Sequence, residues 1–144
     1  MARYRTTIES TMSPEEAFDY LAEFSNARHW DPGIVDAENL TGEPVRPGSR
    51  FRLVSRFLGR RLPLEYRITE FERPERVVLV ADETAIRSID EIRFVATDAG
   101  SRVTYEADLT LQTPLGRLSE PFLALAFRRI GTRASAGLHE SLNT

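Results

Sequence analysis

The chain has 144 residues, the size of one ordinary domain, so we expect a single domain over residues 1–144. It contains no cysteine, which excludes disulfides, thiolate nucleophiles and cysteine-ligated metal sites. Every basic residue is an arginine, so no amine is present for Schiff-base or P-loop chemistry. The net charge is −3 with interspersed signs, which argues against a nucleic-acid partner.

The chain shows neither a membrane span nor a secretion signal. Its longest uninterrupted apolar run covers residues 122–127, far short of the roughly 20 residues that a spanning helix needs. The first twelve residues lack the apolar core of a signal peptide. We therefore expect a cytoplasmic protein.

The first elements are a strand and two short helices. Residues 3–9 alternate as a strand does, and a helix start follows at Ser13. Ser13 suits the N-cap, Pro14 the first helical position and Glu16 the end of a capping box. A second short helix is predicted to end at Trp30.

Six further strands are predicted, separated by turns rich in glycine and proline that act as hairpin connections in an antiparallel sheet. Their sequences alternate, with one parity apolar and the other charged, so the apolar parity should face inward. The predicted strands cover residues 34–41, 49–58, 62–72, 76–82, 86–97 and 101–112.

The last segment, residues 114–142, changes to a period of 3.6 and predicts one long helix lying on the sheet. Its apolar face becomes small-sided toward its end, at Ala134, Ala136 and Gly137, which indicates that something close or roomy lies opposite. The face is formed by Leu115, Leu118, Phe122, Ala126, Ile130, Ala134 and Gly137.

This order of elements resembles the START-like (SRPBCC) superfamily, and within it the polyketide cyclase/dehydrase group. The likeness covers nearly the whole chain and includes TIESTMSPEEAFDYLAEFSNARHWDPGI and DAGSRVTYEADLTL. It implies an α+β helix-grip fold of the Bet v 1-like type, in which a curved seven-stranded antiparallel sheet wraps around the long C-terminal helix. The fold of that superfamily leaves a deep cavity between sheet and helix, where apolar small molecules bind.

The residues expected to line such a cavity combine inward strand positions with the inner face of the last helix. Each aromatic residue among them is also ordinary core material, so packing and ligand contact both remain open. The candidates are Trp30, Leu53, Phe57, Leu64, Tyr66, Asp90, Phe94, Tyr105, Leu109, Phe122, Ala126, Arg129 and Ile130.

Asp90 is the main candidate for chemistry, because it shares the parity of Ser88, Ile92 and Phe94. If that parity faces inward, desolvation raises the pKa of Asp90 and suits it to act as a general base. A bulge that reverses the parity, or a place at the wet end of the strand, is the alternative. Arg129, on the flank of the last helix, either binds a ligand oxygen or pairs at the surface.

Tyr66, Tyr105 and His29 are the other weak catalytic candidates. The two histidines have no acidic ligand pattern around them, so no metal site is expected. The chain also lacks a nucleophile elbow, a glycine-rich phosphate loop and a zinc-protease motif, and no cofactor is expected.

Three functions therefore remain open. The first is a module that binds a small apolar or aromatic molecule, as a monomer or homodimer. The second is an aromatase-like cyclase or dehydratase that uses Asp90, Tyr66 and Tyr105 as acid/base groups. The third is a protein-interaction module whose cavity is vestigial.

Overall fold

The computed structural model describes residues 2–57, 59–84, 86–112 and 120–143, in which a β-sheet and three α-helices are formed. Helices α1 (Pro14–Ala22) and α2 (Ala27–Trp30) are separated by a 3-10 turn, and α3 is the long C-terminal helix (Glu120–Leu142). The strands are β1 (Ala2–Ser10), β2 (Ile34–Asn39), β3 (Arg50–Phe57), β4 (Arg60–Glu72), β5 (Arg76–Asp82), β6 (Ile86–Thr97) and β7 (Gly100–Leu111).

These strands form one antiparallel sheet in the order β1-β7-β6-β5-β4-β3-β2. Consecutive strands from β2 to β7 are neighbours, as hairpin connections require, and β1 pairs with β7. The curved seven-stranded sheet and the C-terminal helix confirm the predicted helix-grip architecture.

The strand ends differ from the predicted ones by two residues or fewer, and one difference has a clear local cause. Strand β2 ends at Asn39 rather than at residue 41. The Asn39 side-chain oxygen accepts hydrogen bonds from the backbone N–H groups of Thr41 and Gly42, at 3.1 and 2.8 Å. These hydrogen bonds turn the chain at Asn39, so β2 ends before the predicted residue 41. The predicted first turns of the long helix, with Leu115 and Leu118, lie outside the described residues.

Helix α1 starts as the capping pattern predicts. The Ser13 hydroxyl accepts from the backbone N–H of Glu16 at 3.2 Å, with Pro14 in the first turn. The helix then buries Phe18 against the aromatic rings of Phe71 and Phe94, at centroid distances of 5.1 and 5.2 Å. Phe94 therefore belongs to the core beneath α1.

Helix α3 approaches its neighbours closely, which explains the small residues on its inner face. Ala136, which was predicted on that face, is exposed instead. A Cβ atom at Gly137 would overlap the backbone carbonyl oxygen of Trp30, so only glycine fits there without displacement. On the side of α3 that faces the sheet, the hydroxyls of Ser135 and Thr6 lie 2.7 Å apart and join α3 to β1 by a hydrogen bond. The helix is thus held at a fixed distance from the sheet and from α2.

Candidate ligand cavity

A cavity lies between the inner face of the sheet and α3, and its volume is about 110 Å³. Most of its wall is apolar and comes from the inward positions of the strands, such as Leu53, Leu64 and Leu109. Helix α3 closes the other side with Ala134 and Leu138. The wall therefore offers mainly carbon atoms to whatever occupies it.

Seven of the predicted lining residues form part of this wall, namely Trp30, Leu53, Leu64, Tyr66, Asp90, Tyr105 and Leu109. Phe94 does not, because it packs against Phe18 under α1. The side chains of Phe57, Phe122, Ala126 and Ile130 lie outside the described part of the chain.

Two charged candidates point to solvent. Arg129 is exposed. The inner face of α3 consists of Gly131, Ala134 and Leu138. Arg129 lies two residues before Gly131 and therefore about 200° away from it around the helix axis. His29 is also exposed, since α2 buries Ala27 and Trp30 instead. Neither side chain is among those described in the cavity wall.

A chain of hydrogen bonds converges on Asp90 inside the cavity. The Tyr66 hydroxyl donates to Ser88 Oγ at 3.1 Å, and the Ser88 hydroxyl donates to Asp90 Oδ1 at 3.0 Å. The Tyr105 hydroxyl donates to the other carboxylate oxygen, Oδ2. Strand alternation places all four side chains on the inner face, since Ser88 and Asp90 are two residues apart on β6.

Burial decides the ionisation of Asp90. The side chain is 5% exposed, and desolvation raises the pKa of its carboxyl from 3.8 to about 6. The hydrogen bonds from Tyr105 and Ser88 act in the opposite direction, because they stabilise the ionised form. Burial also raises the pKa of both Tyr66 and Tyr105 well above 10.0, so they stay protonated and remain donors.

Asp31 is a second carboxylate in the cavity wall, and the sequence reasoning missed it. The backbone N–H of Gly33 donates to Asp31 Oδ1 at 2.8 Å, and burial raises the pKa of the carboxyl to about 6. The charge of Asp31 also raises the pKa of Asp90. Asp31 lies in a turn without periodicity, so its only sequence signal was its place directly after Trp30.

Trp30 forms the wall beside these groups. Its ring contacts the ring of Tyr105 edge to face, with centroids 5.5 Å apart. The side chain is 4% exposed, and its indole N–H has no acceptor in the described part of the chain. A buried donor without a partner is rare in proteins.

The arrangement combines an apolar wall with a few convergent polar groups, which is typical of small-molecule sites. Asp90 can accept a proton near neutral pH, and the tyrosine hydroxyls can donate one. In the described ranges, no group of three or more histidine, aspartate or glutamate side chains is placed to hold a metal ion. No helix there is both long and apolar enough to cross a membrane.

Comparison with solved structures shows that known proteins share this fold. A START superfamily protein from Mycobacterium smegmatis has a TM-score of 0.80 at 13% identity, with 99% of this chain and 97% of that one covered. The Zhui aromatase/cyclase from Streptomyces sp. R1128 has a TM-score of 0.78 at 14% identity, with 97% and 92% covered. The ginseng major latex-like protein 151 from Panax ginseng has a TM-score of 0.70 at 9% identity, with 98% and 97% covered.

At these identities the solved structures show the fold alone. A search of curated proteins gives no significant match. The family model described as polyketide cyclase / dehydrase and lipid transport matches residues 1–142. The predicted resemblance is therefore confirmed, and the chain belongs to the polyketide cyclase / dehydrase and lipid transport family.

Proposed function

We propose that the protein binds a small apolar or aromatic molecule, about one ring in size, in the cavity between the sheet and α3. The cavity of about 110 Å³ carries this proposal. It is smaller than the apolar protein cavity of about 150 Å³ that accommodates benzene, which limits the ligand to about one ring. Affinity comes from apolar burial, at roughly 25 cal/mol for each Å² removed from water. Because the space is open rather than filled, it favours a ligand-binding role over a vestigial cavity.

A titration with p-cresol tests this function. Trp30 is the only tryptophan, so the protein has a single indole N–H signal in an NMR spectrum. We expect that signal to shift and saturate as p-cresol enters, because Trp30 forms part of the wall. Saturable shifts confined to exposed residues would contradict the proposal.

Two leucine substitutions on α3 provide a matched pair. Ala134→Leu adds three carbon atoms at a position that lines the cavity, whereas Ala136→Leu adds them at an exposed position. Filling the cavity should weaken p-cresol binding about tenfold or more, and the exposed variant should bind as the wild type does. Equal binding by the two variants would place the site elsewhere.

Proton transfer to and from a bound carbonyl compound is a second candidate function. The observation that favours it is the convergence of Asp90, Tyr66 and Tyr105 on one cavity. A carboxylate with a pKa of about 6 is suited to remove a proton next to a carbonyl, which cyclisation and dehydration both require. The protonated tyrosines supply the acid.

Exchange of the α-protons of acetophenone in deuterated water tests this chemistry. Ionised Asp90 takes one α-proton, and the resulting enolate takes a deuteron from the solvent. We expect exchange on the wild type to be roughly a hundredfold or more above that of the Asp90→Asn variant. The Asp19→Asn variant is the control, because Asp19 is exposed on α1, where it pairs with Arg73. Equal exchange with and without Asp90 would refute the catalytic role.

A further inference from the structure

We infer that the ligand of this cavity is a protonated organic amine about one ring in size, whose positive charge is neutralised by the carboxylates of Asp90 and Asp31. The inference rests on the proposed ligand-binding function and adds the charge of the ligand. It follows from a negative charge in the cavity that the protein itself does not neutralise.

Asp90 and Asp31 line the same cavity, and neither forms an ion pair in the described part of the chain. The arginines that form ion pairs there do so with carboxylates on the outer surface, as Arg73 does with Asp19. No arginine or histidine side chain is among the described lining residues, and the sequence has no lysine. The cavity therefore holds two acids and no described base.

Asp90 is buried and Asp31 is half-buried. Carboxylates removed from water are normally paired with a cation, since their ionised form is expensive to desolvate. Ser88 and Tyr105 donate hydrogen bonds to Asp90 but bring no charge, and Asp31 receives one from the Gly33 backbone. Above a pH of about 6 the ionised forms predominate, so the cavity is negative at neutral pH. An ammonium group on the ligand reduces this negative charge by one, whereas an anionic ligand increases it.

The aromatic side chains suit the same ligand. The rings of Trp30, Tyr66 and Tyr105 all border the cavity, and ring faces attract organic cations. The carbon skeleton of the ligand then lies against leucine side chains such as Leu64 and Leu138.

Three probes of nearly equal shape test the charge. Benzylammonium is positive, benzyl alcohol is neutral and benzoate is negative at pH 7.5. We expect benzylammonium to bind about tenfold or more tightly than benzyl alcohol, because a hydrogen bond between two charged groups is roughly twice as strong as a neutral one. Benzoate should be the weakest. Dissociation constants come from the shift of the Trp30 indole N–H signal.

Two variants locate the preference and one serves as a control. Asp90→Asn and Asp31→Asn should each reduce the preference for benzylammonium over benzyl alcohol severalfold. Asp31→Asn keeps an oxygen to accept the Gly33 N–H, so it remains informative if Asp90→Asn does not fold. Asp19→Asn removes an exposed carboxylate on α1 that pairs with Arg73, and the preference should be unchanged.

The outcomes separate this inference from the function on which it rests. If benzyl alcohol binds as tightly as benzylammonium to the wild type, the charge inference is wrong and the ligand-binding function stands. If the preference survives both aspartate substitutions, the assignment to Asp90 and Asp31 is wrong. If no probe gives saturable binding, the proposed one-ring ligand site fails as well.

Discussion

Replacing Tyr105 by phenylalanine should raise the pKa of Asp90. The change removes a hydroxyl that donates to Asp90 Oδ2 and keeps the ring that contacts Trp30. Hydrogen bonds to charged groups contribute about 1.5–3 kcal/mol, and 1.36 kcal/mol corresponds to one pKa unit. Asp90 starts with a pKa of about 6, so loss of this donor should raise its pKa by roughly one to two units.

The pKa of Asp90 is measured by following carboxyl carbon signals in an NMR titration. The Asp90 signal is identified by its absence from the Asp90→Asn spectrum. Tyr4→Phe is the matched control, because Tyr4 lines the same cavity and makes no described hydrogen bond to Asp90. The reasoning is refuted if Tyr105→Phe leaves the pKa unchanged or lowers it, or if Tyr4→Phe raises it equally.

Three further predictions concern stability. Gly137→Ala should lower the free energy of unfolding, measured in urea, by about 1–3 kcal/mol. The reason is that overlap of the new Cβ with the Trp30 carbonyl outweighs the gain in helix propensity of about 1 kcal/mol. Equal or higher stability of the variant would contradict this. The pKa of Asp90 is about 6 in the folded protein and has its ordinary value of 3.8 in the unfolded chain. The contribution of Asp90 to stability is therefore present below about pH 4 and is lost as the pH rises through about 6. Asp90→Asn should therefore gain up to about 3 kcal/mol on the wild type between those pH values, and a constant difference would disprove the shift. Ser13→Ala should lower the free energy of unfolding by about 1 kcal/mol, because the variant loses the hydrogen bond to the Glu16 N–H. Thermal or urea unfolding measures this difference, and an unchanged stability would show that the cap contributes nothing.

The fold was predictable because its signals are local and repeated. Along β7, Val103, Tyr105 and Ala107 are buried as their parity predicts. Helix α1 begins at the capping pattern after Ser13. Ends of strands were less predictable, since they depend on single side-chain bonds such as those of Asn39.

The candidate site was predictable where strand alternation fixes direction. The position of Asp90 on the inner face follows from the regular pairing of β6 with β7, which no bulge interrupts in this register. Asp31 lies in a turn, where no period indicates where a side chain points. The side of the helix on which Arg129 lies stayed open, because a helix flank becomes inner or outer only through the packing of the whole helix, and the structure places Arg129 at the surface.

Phe94 shows a further limit of sequence reasoning. It is inward-facing and buried, as predicted, yet it packs beneath α1 instead of bordering the cavity. Parity gives the face of the sheet but not the position along it. Which inward residues meet the ligand depends on where α1 and α3 cover that face.

The most direct test of a ligand-accepting cavity is a set of nuclear Overhauser contacts between bound p-cresol and the protein. The account predicts contacts from the p-cresol ring to the methyl groups of Leu53, Leu64 and Leu138, which line the cavity. Contacts only to exposed methyl groups such as those of Val95, or no contact at saturating p-cresol, would contradict it.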